Sequence, residues 1–444
     1  MKVWSILAIV LSIGLANVAA QDEPGAPPAA IKEAGSPSHL GSEAPALAIA
    51  SDTESRNVLV AGFSLGAAYD NRGLYNTTTS TFSGDTRYFI ESSVAFQRTF
   101  SAGSVTLSYT PGVSISTDNN SNNQYTQNLA GDVNWRPNSR FQLHARQDYS
   151  VTDNPFEIVG RVDLLPGLGG PLGPNYNGVL PDTKRTSLVS NADMDYLVSE
   201  HRAVGITGGF QKYTFDSSTP STANVPYVNS EVITGSVFFS QQFSRAVNAG
   251  IQFAYTDIYS TGAVVARTQA PAPMVFVKLT PDSRTTITLF AGPEYARTRE
   301  VIGDVGVFET GWYPTFGGTV SWNGHRNAFD VQGQRRIGNG GGVLEAVRDT
   351  TAGAAYRFRV AKRLLSEVRA DWSDEKAIGL LSQGNYFESM WAGGGPVYEL
   401  SRSFSLRADV AYVHQAQQGV AVVAGNHLMI QGSLDYRFHK GLGE

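Results

Sequence analysis

The residues with the most chemistry to offer sit inside alternating segments. Tyr398–Tyr412 reads YELSRSFSLRADVAY, and it places Arg407 and Asp409 between Leu406, Ala408 and Val410. Arg357 and Arg359, then Glu367, Arg369 and Asp371, and finally Asp435 and Arg437 have the same spacing of two, as do Arg146 and Asp148 earlier in the chain. Carboxylates and guanidinium groups on one face of a strand can orient a passing solute, or they can neutralise one another across neighbouring strands. The signs are mixed and no ring of one sign appears, which favours mutual neutralisation.

Catalytic chemistry has less behind it. The seven histidines are scattered, and none has the spacing of a metal site. His144 and Asp148 can share a strand face with serines nearby, as a hydrolase would need, but any polar lumen offers such proximity. The run Gly338-Asn339-Gly340-Gly341-Gly342 lacks the Lys-Ser/Thr and helix of a phosphate loop and reads as a flexible loop tip. With no cysteine, disulfides, thiolate metal sites and a cysteine nucleophile are excluded. No catalytic residue, metal ligand or cofactor site is expected.

The elements that position these charges are strands. In Phe404–Tyr412 the apolar residues Phe404, Leu406, Val410 and Tyr412 alternate with Ser405, Arg407 and Asp409, a period of two with one apolar face. The pattern starts at Asn57 and recurs in about 18 segments, with 16–18 the plausible range. It is weak in 227–242, 273–280 and 385–400. The connections alternate between short polar turns, such as Ser401-Arg402-Ser403 and Phe243-Ser244-Arg245, and longer stretches rich in Asn, Ser, Gly and Pro, such as 153–182, 260–272, 296–306 and 337–349. Segments of roughly 10 to 14 residues exceed ordinary globular strands and suit a tilted bilayer crossing.

Aromatic residues mark both ends of the segments. Phe100, Trp135, Phe243, Phe404 and Phe438 lie by short turns or at the last strand's end; Tyr69, Tyr88, Tyr149, Tyr259 and Tyr412 lie towards long loops. Two such bands are expected where a barrel meets two headgroup layers.

Composition agrees. Only 16% of the 444 residues are charged and the formal net charge is −5, without a basic stripe for nucleic acid. Met1-Lys2, the apolar run Val3–Leu15 and Ala16–Ala20 read as a secretory signal peptide over 1–20. Residues 21–56 read as a Pro/Ala-rich periplasmic linker, 57–438 as the barrel, and 439–444 as a short tail. In hydrocarbon an open sheet edge would leave backbone groups unpaired, so a spanning sheet has to close. The expected fold is therefore all-β: a closed antiparallel transmembrane β-barrel with a wet lumen.

Residues 57–438 resemble the bacterial outer-membrane β-barrel porins, a loose and sequence-diverse group. The carriers are Leu400–Ala408, Phe243–Val247 and the final strand Leu428–Phe438. The resemblance implies a cell outer-membrane location, contact with outer-membrane lipid, and recognition of the final strand by the barrel-assembly machinery; self-association stays open. It also implies that the loop after the fifth strand can fold into the pore. Here that loop is 153–182, with Glu157, Arg161 and Asp163 as constriction charges; an external lid is the other reading. Passive diffusion of small hydrophilic solutes is the leading function. A polymer-export channel and a structural barrel that binds a partner through its long loops are the alternatives.

Overall fold

The computed structural model describes residues 57–76, 81–117, 123–152, 184–215, 228–262, 264–302, 304–342, 344–381, 384–401, 403–418 and 425–441. They belong to one compact unit, Ser36–Glu444; the other unit, Met1–Gly35, lies outside the described residues. The fold is an 18-stranded antiparallel sheet closed on itself by pairing of the first strand with the last.

The strands are β1 Val58–Asn76, β2 Thr81–Phe100, β3 Gly103–Ser116, β4 Gln124–Asn138, β5 Phe141–Thr152, β6 Arg185–Ser199, β7 Arg202–Phe215, β8 Asn229–Ser244 and β9 Val247–Thr261. They continue as β10 Val265–Leu279, β11 Thr285–Ile302, β12 Val305–Asn323, β13 Asn327–Gly340, β14 Leu344–Ala361, β15 Leu364–Ala377, β16 Tyr386–Glu399, β17 Phe404–Gln418 and β18 Gly425–Gly441. Each pairs with its neighbour in sequence, and closure runs from Val58↔Gly441 to Asp70↔Met429. Closure removes both edges, the arrangement that lets a sheet lie in hydrocarbon.

The barrel is inside-out relative to a soluble protein. Outward side chains are apolar and exposed: Ile251 is 61% exposed and Val275 60%. Inward residues of the same sheet are the buried ones, with Asp435 at 3% and Gln252 at 6%. The outward aromatics Phe100, Trp135, Phe243, Phe404 and Phe438 stand exposed at the short-turn end, and Tyr69, Tyr88, Tyr149, Tyr259 and Tyr412 towards the long-loop end. On the outward face, ion pairs occur towards this same long-loop end. Lys212 pairs with Glu231 at 2.5 Å, and Arg267 with Asp257 at 2.7 Å.

Several elements differ from the sequence expectation. Strand β10 starts at Val265 rather than near 273, and β11 and β12 extend through most of 296–306. Strand β18 continues past Phe438 to Gly441. The glycine run Gly338–Gly342, read as a loop tip, is partly strand: β13 and β14 remain paired through Asn339↔Ala346 and Gly340↔Leu344.

Candidate functional site

The predicted wall charges all fall on strands, and most of them neutralise close neighbours. Arg146 holds Asp148 through two hydrogen bonds of 2.7 and 3.1 Å. Arg357 and Glu367 stand opposite each other on β14 and β15 and pair at 3.1 Å. Arg369 pairs with Asp371 at 2.6 Å. Asp435 accepts hydrogen bonds from the Ser64 hydroxyl at 2.6 Å and the Ser433 hydroxyl at 3.1 Å. Arg407 and Asp409 alternate with the exposed Leu406 and Val410, two strand positions apart on the same face; Arg437 is half-buried, and Arg359 is exposed close to the short turn after β14. Glu157, Arg161 and Asp163 lie outside the described residues.

His144 shares the inner face of β5 with Asp148, but its ring nitrogens bind elsewhere. It bridges Asp132 on β4 at 2.7 Å and Asp193 on β6 at 3.0 Å. Its register partners Asn134 and Asp193 explain this: the three strands bring two carboxylates to the two ring nitrogens. A histidine held at both nitrogens is a structural tie, since neither nitrogen is left to take a proton from a nucleophile.

The inner wall has a second sector that strict polar-in alternation does not anticipate. Along β8–β10 the inward residues Val232, Phe238, Ile258, Ala270, Ala272, Met274 and Phe276 are apolar and buried. Phe238 and Phe276 meet edge to face, with centroids 6.4 Å apart.

A hairpin covers part of this apolar sector. Strand β12 is 19 residues long and pairs with β11 all the way from Thr285↔Trp322 to Ile302↔Val305. Its ladder with β13 runs only from Asn323↔Ala328 to Phe316↔Arg335. Beyond Arg335, β13 leaves the wall and keeps β14 as its partner. The face of Ile337 then packs inside the barrel with Val232, Ile258, Ala270, Ala296, Ala346 and Ile378, residues that come from β8 to β11, β14 and the segment after β15. Turning a strand inward frees backbone groups that need partners. The Ile337 N–H donates to the Glu294 carboxylate of β11 at 3.0 Å, and the Thr315 hydroxyl donates to the same carboxylate.

The tip is tied as well. The Val228 N–H donates to the Gly342 carbonyl at 3.0 Å. Gly341 and Gly342 have φ of 60° and 104°, the left-handed region that glycine enters without penalty. A Cβ on Gly342 would run into the Phe215 ring. The glycine run therefore serves a close inward approach. Next to it, the Ile378 N–H donates to the Ala346 carbonyl at 3.1 Å and the Leu381 N–H to Glu300 at 2.7 Å. Residues 336–349 and 374–381 thus form one flap inside the long-loop half of the lumen.

The flap carries buried acids. Glu375, fully buried, stands opposite the buried Asp349 on β14. Neither Glu375 carboxylate oxygen has a hydrogen-bond partner among the described residues.

No known protein-family profile matches the chain, and no curated protein matches it. Among solved structures, the chain is similar to the ferric-catecholate import receptor Fiu from E. coli in its open form, with 9% identity, a TM-score of 0.43, and 87% of this chain and 82% of that one covered. The unliganded ferric citrate transporter FecA shows 9% identity and a TM-score of 0.41 over 85% of this chain and 78% of that one. The outer membrane protein OpdK from Pseudomonas aeruginosa shows 10% identity and a TM-score of 0.39 over 86% of this chain and 99% of that one. At such scores these likenesses carry no argument about what this chain does.

Proposed function

We propose that this protein is an outer-membrane channel through which small hydrophilic solutes diffuse, narrowed in its outer half by the β13–β15 flap. The observation that carries the reading is the inversion of the barrel: an apolar, exposed outer wall around an inner wall of ion pairs. Such a wall is stable only with lipid outside and water or polar groups inside. Short turns then face the periplasm and long loops the exterior. An 18-stranded barrel is too wide for its own side chains to fill, so the flap sets the width of its outer half. The paired wall charges offer passing solutes a polar surface without a strong single-sign barrier.

Liposome swelling tests this. Proteoliposomes made with the full chain should swell in small neutral sugars and amino acids, more slowly as solute size increases. Absence of swelling with every small solute would leave a structural barrel as the surviving account.

A further inference from the structure

We propose that the outward face of β11 and β12, at the end near the long loops, binds the phosphate-bearing head group of an outer-leaflet lipid. The inference rests on the membrane orientation given above and concerns the outside of the barrel, not the lumen.

The site starts from three outward residues. Arg297 and Arg299 of β11 both lie over the Phe308 ring of β12, at 5.7 and 5.6 Å from its centroid. Their register partners are Thr310 and Phe308. Each guanidinium is thereby held against an aromatic face, and among the described residues neither arginine has an acidic partner. The nearby Arg267, in contrast, is already committed to Asp257 through hydrogen bonds of 3.0 and 2.7 Å. Two preoriented guanidinium groups side by side match the geometry of a phosphate.

The height fits a head group. Counted from the short turn before Thr285, Arg297 lies beyond the roughly 9–11 residues that a tilted strand needs to cross hydrocarbon. Just below it on the outward face, Tyr295 and Trp312 pack at 5.1 Å between centroids, and Trp312 is 67% exposed. That is the placement of an interfacial aromatic. Acyl chains would therefore lie against Trp312 and Phe316 while the phosphate meets Arg297 and Arg299.

The edge of β12 makes this sector distinct. From Val305 to Thr315, among the described residues, no strand pairs with β12 on the side away from β11. An unpaired edge cannot face hydrocarbon. A head group beside Phe308 would lie next to its free backbone donors, so the inward turn of β13 opens room for the ligand.

The probe is phosphatidic acid, compared with phosphatidylcholine of the same chains, added to the detergent-purified full chain and read by native mass spectrometry. The wild type should retain phosphatidic acid about tenfold or more in preference. Arg297→Ala with Arg299→Ala should lose that preference, and so should Thr310→Glu, which puts a carboxylate beside Arg297. Arg359→Ala, at the other end of the barrel, should keep it. Heat-modifiable gel mobility checks that each variant is folded. Equal retention of the two lipids by the wild type would overturn the proposal, as would wild-type preference in both folded site variants. Solute swelling is read separately, so a failed channel and a failed lipid site give different results.

Discussion

The Ile337 N–H donates to the Glu294 carboxylate at 3.0 Å, which fixes β13 beneath β11 instead of beside β12. One inward carboxylate thus takes one backbone N–H of the strand that leaves the sheet, and it is a point at which wall and flap meet. Glu294→Ala removes this acceptor for both Ile337 and Thr315. A buried N–H without a partner costs about 1–3 kcal/mol, so the flap should open more often. Reconstituted E294A should show larger or longer conductance steps than wild type, and proteolysis should cut near 338–342 faster.

Gly342 has a φ of 104° and faces the Phe215 ring. Gly342→Val should destabilise the inward position by about 1–3 kcal/mol, from backbone strain and overlap with that ring. A double variant with Phe215→Ala should recover only the overlap. The check is the rate of proteolysis at the tip in both variants.

Glu375 faces Asp349 in a fully buried position, with no hydrogen-bond partner for either carboxylate oxygen among the described residues. Two carboxylates close together in low dielectric oppose folding. Glu375→Gln should raise the urea midpoint of unfolding in lipid, by about 1–3 kcal/mol in stability. A lowered midpoint would contradict a net cost of burying this carboxylate.

Leu406 and Arg407 face opposite ways. Leu406 is 45% exposed on the outward wall. Leu406→Arg, two positions from the interfacial Phe404, should lower insertion by less than the roughly 2–4 kcal/mol of an arginine at the bilayer midplane, whereas Arg407→Gln on the lumen should insert normally. Folding yields into liposomes, read by gel mobility, compare the two.

The turn between β10 and β11 has its own pH dependence. Asp282 accepts the backbone N–H groups of Arg284 at 2.8 Å and Thr285 at 2.7 Å. These bonds hold its carboxyl below the ordinary carboxylate range, the Arg284 bond contributing most. A depressed folded pKa adds stability above the unfolded pKa, and that stability is lost as pH falls through the folded value. Asp282→Asn should therefore unfold more readily than wild type at neutral pH, and the difference should vanish in strong acid.

Much of the fold was legible in the sequence where outward and inward residues contrast. Strands β17 and β18 were readable because Leu406, Val410, Leu434 and Tyr436 alternate with Arg407, Asp409, Ser433 and Asp435. Strand β10 was only partly readable: its inward Ala266, Ala270, Met274 and Phe276 are as apolar as its outward Val275, and Pro271 and Pro273 read as loop signals. The pairing of wall charges followed from their mixed signs. The flap was not legible. A glycine run has no period, and apart from Ala346 on the paired β14 the partners of Ile337 come from β8 to β11 and the segment after β15, none of which pairs with β13. Likewise His144 meets Asp132 and Asp193 through register across three strands, which spacing within one strand cannot reveal.

Single-channel recording in a planar bilayer tests the central claim most directly, with the wild type compared with a chain lacking 338–345. Stable conductance steps in the wild type and larger steps in the deletion are predicted. Silence in both across all voltages would contradict the channel, and equal steps in the two would contradict the flap as its constriction.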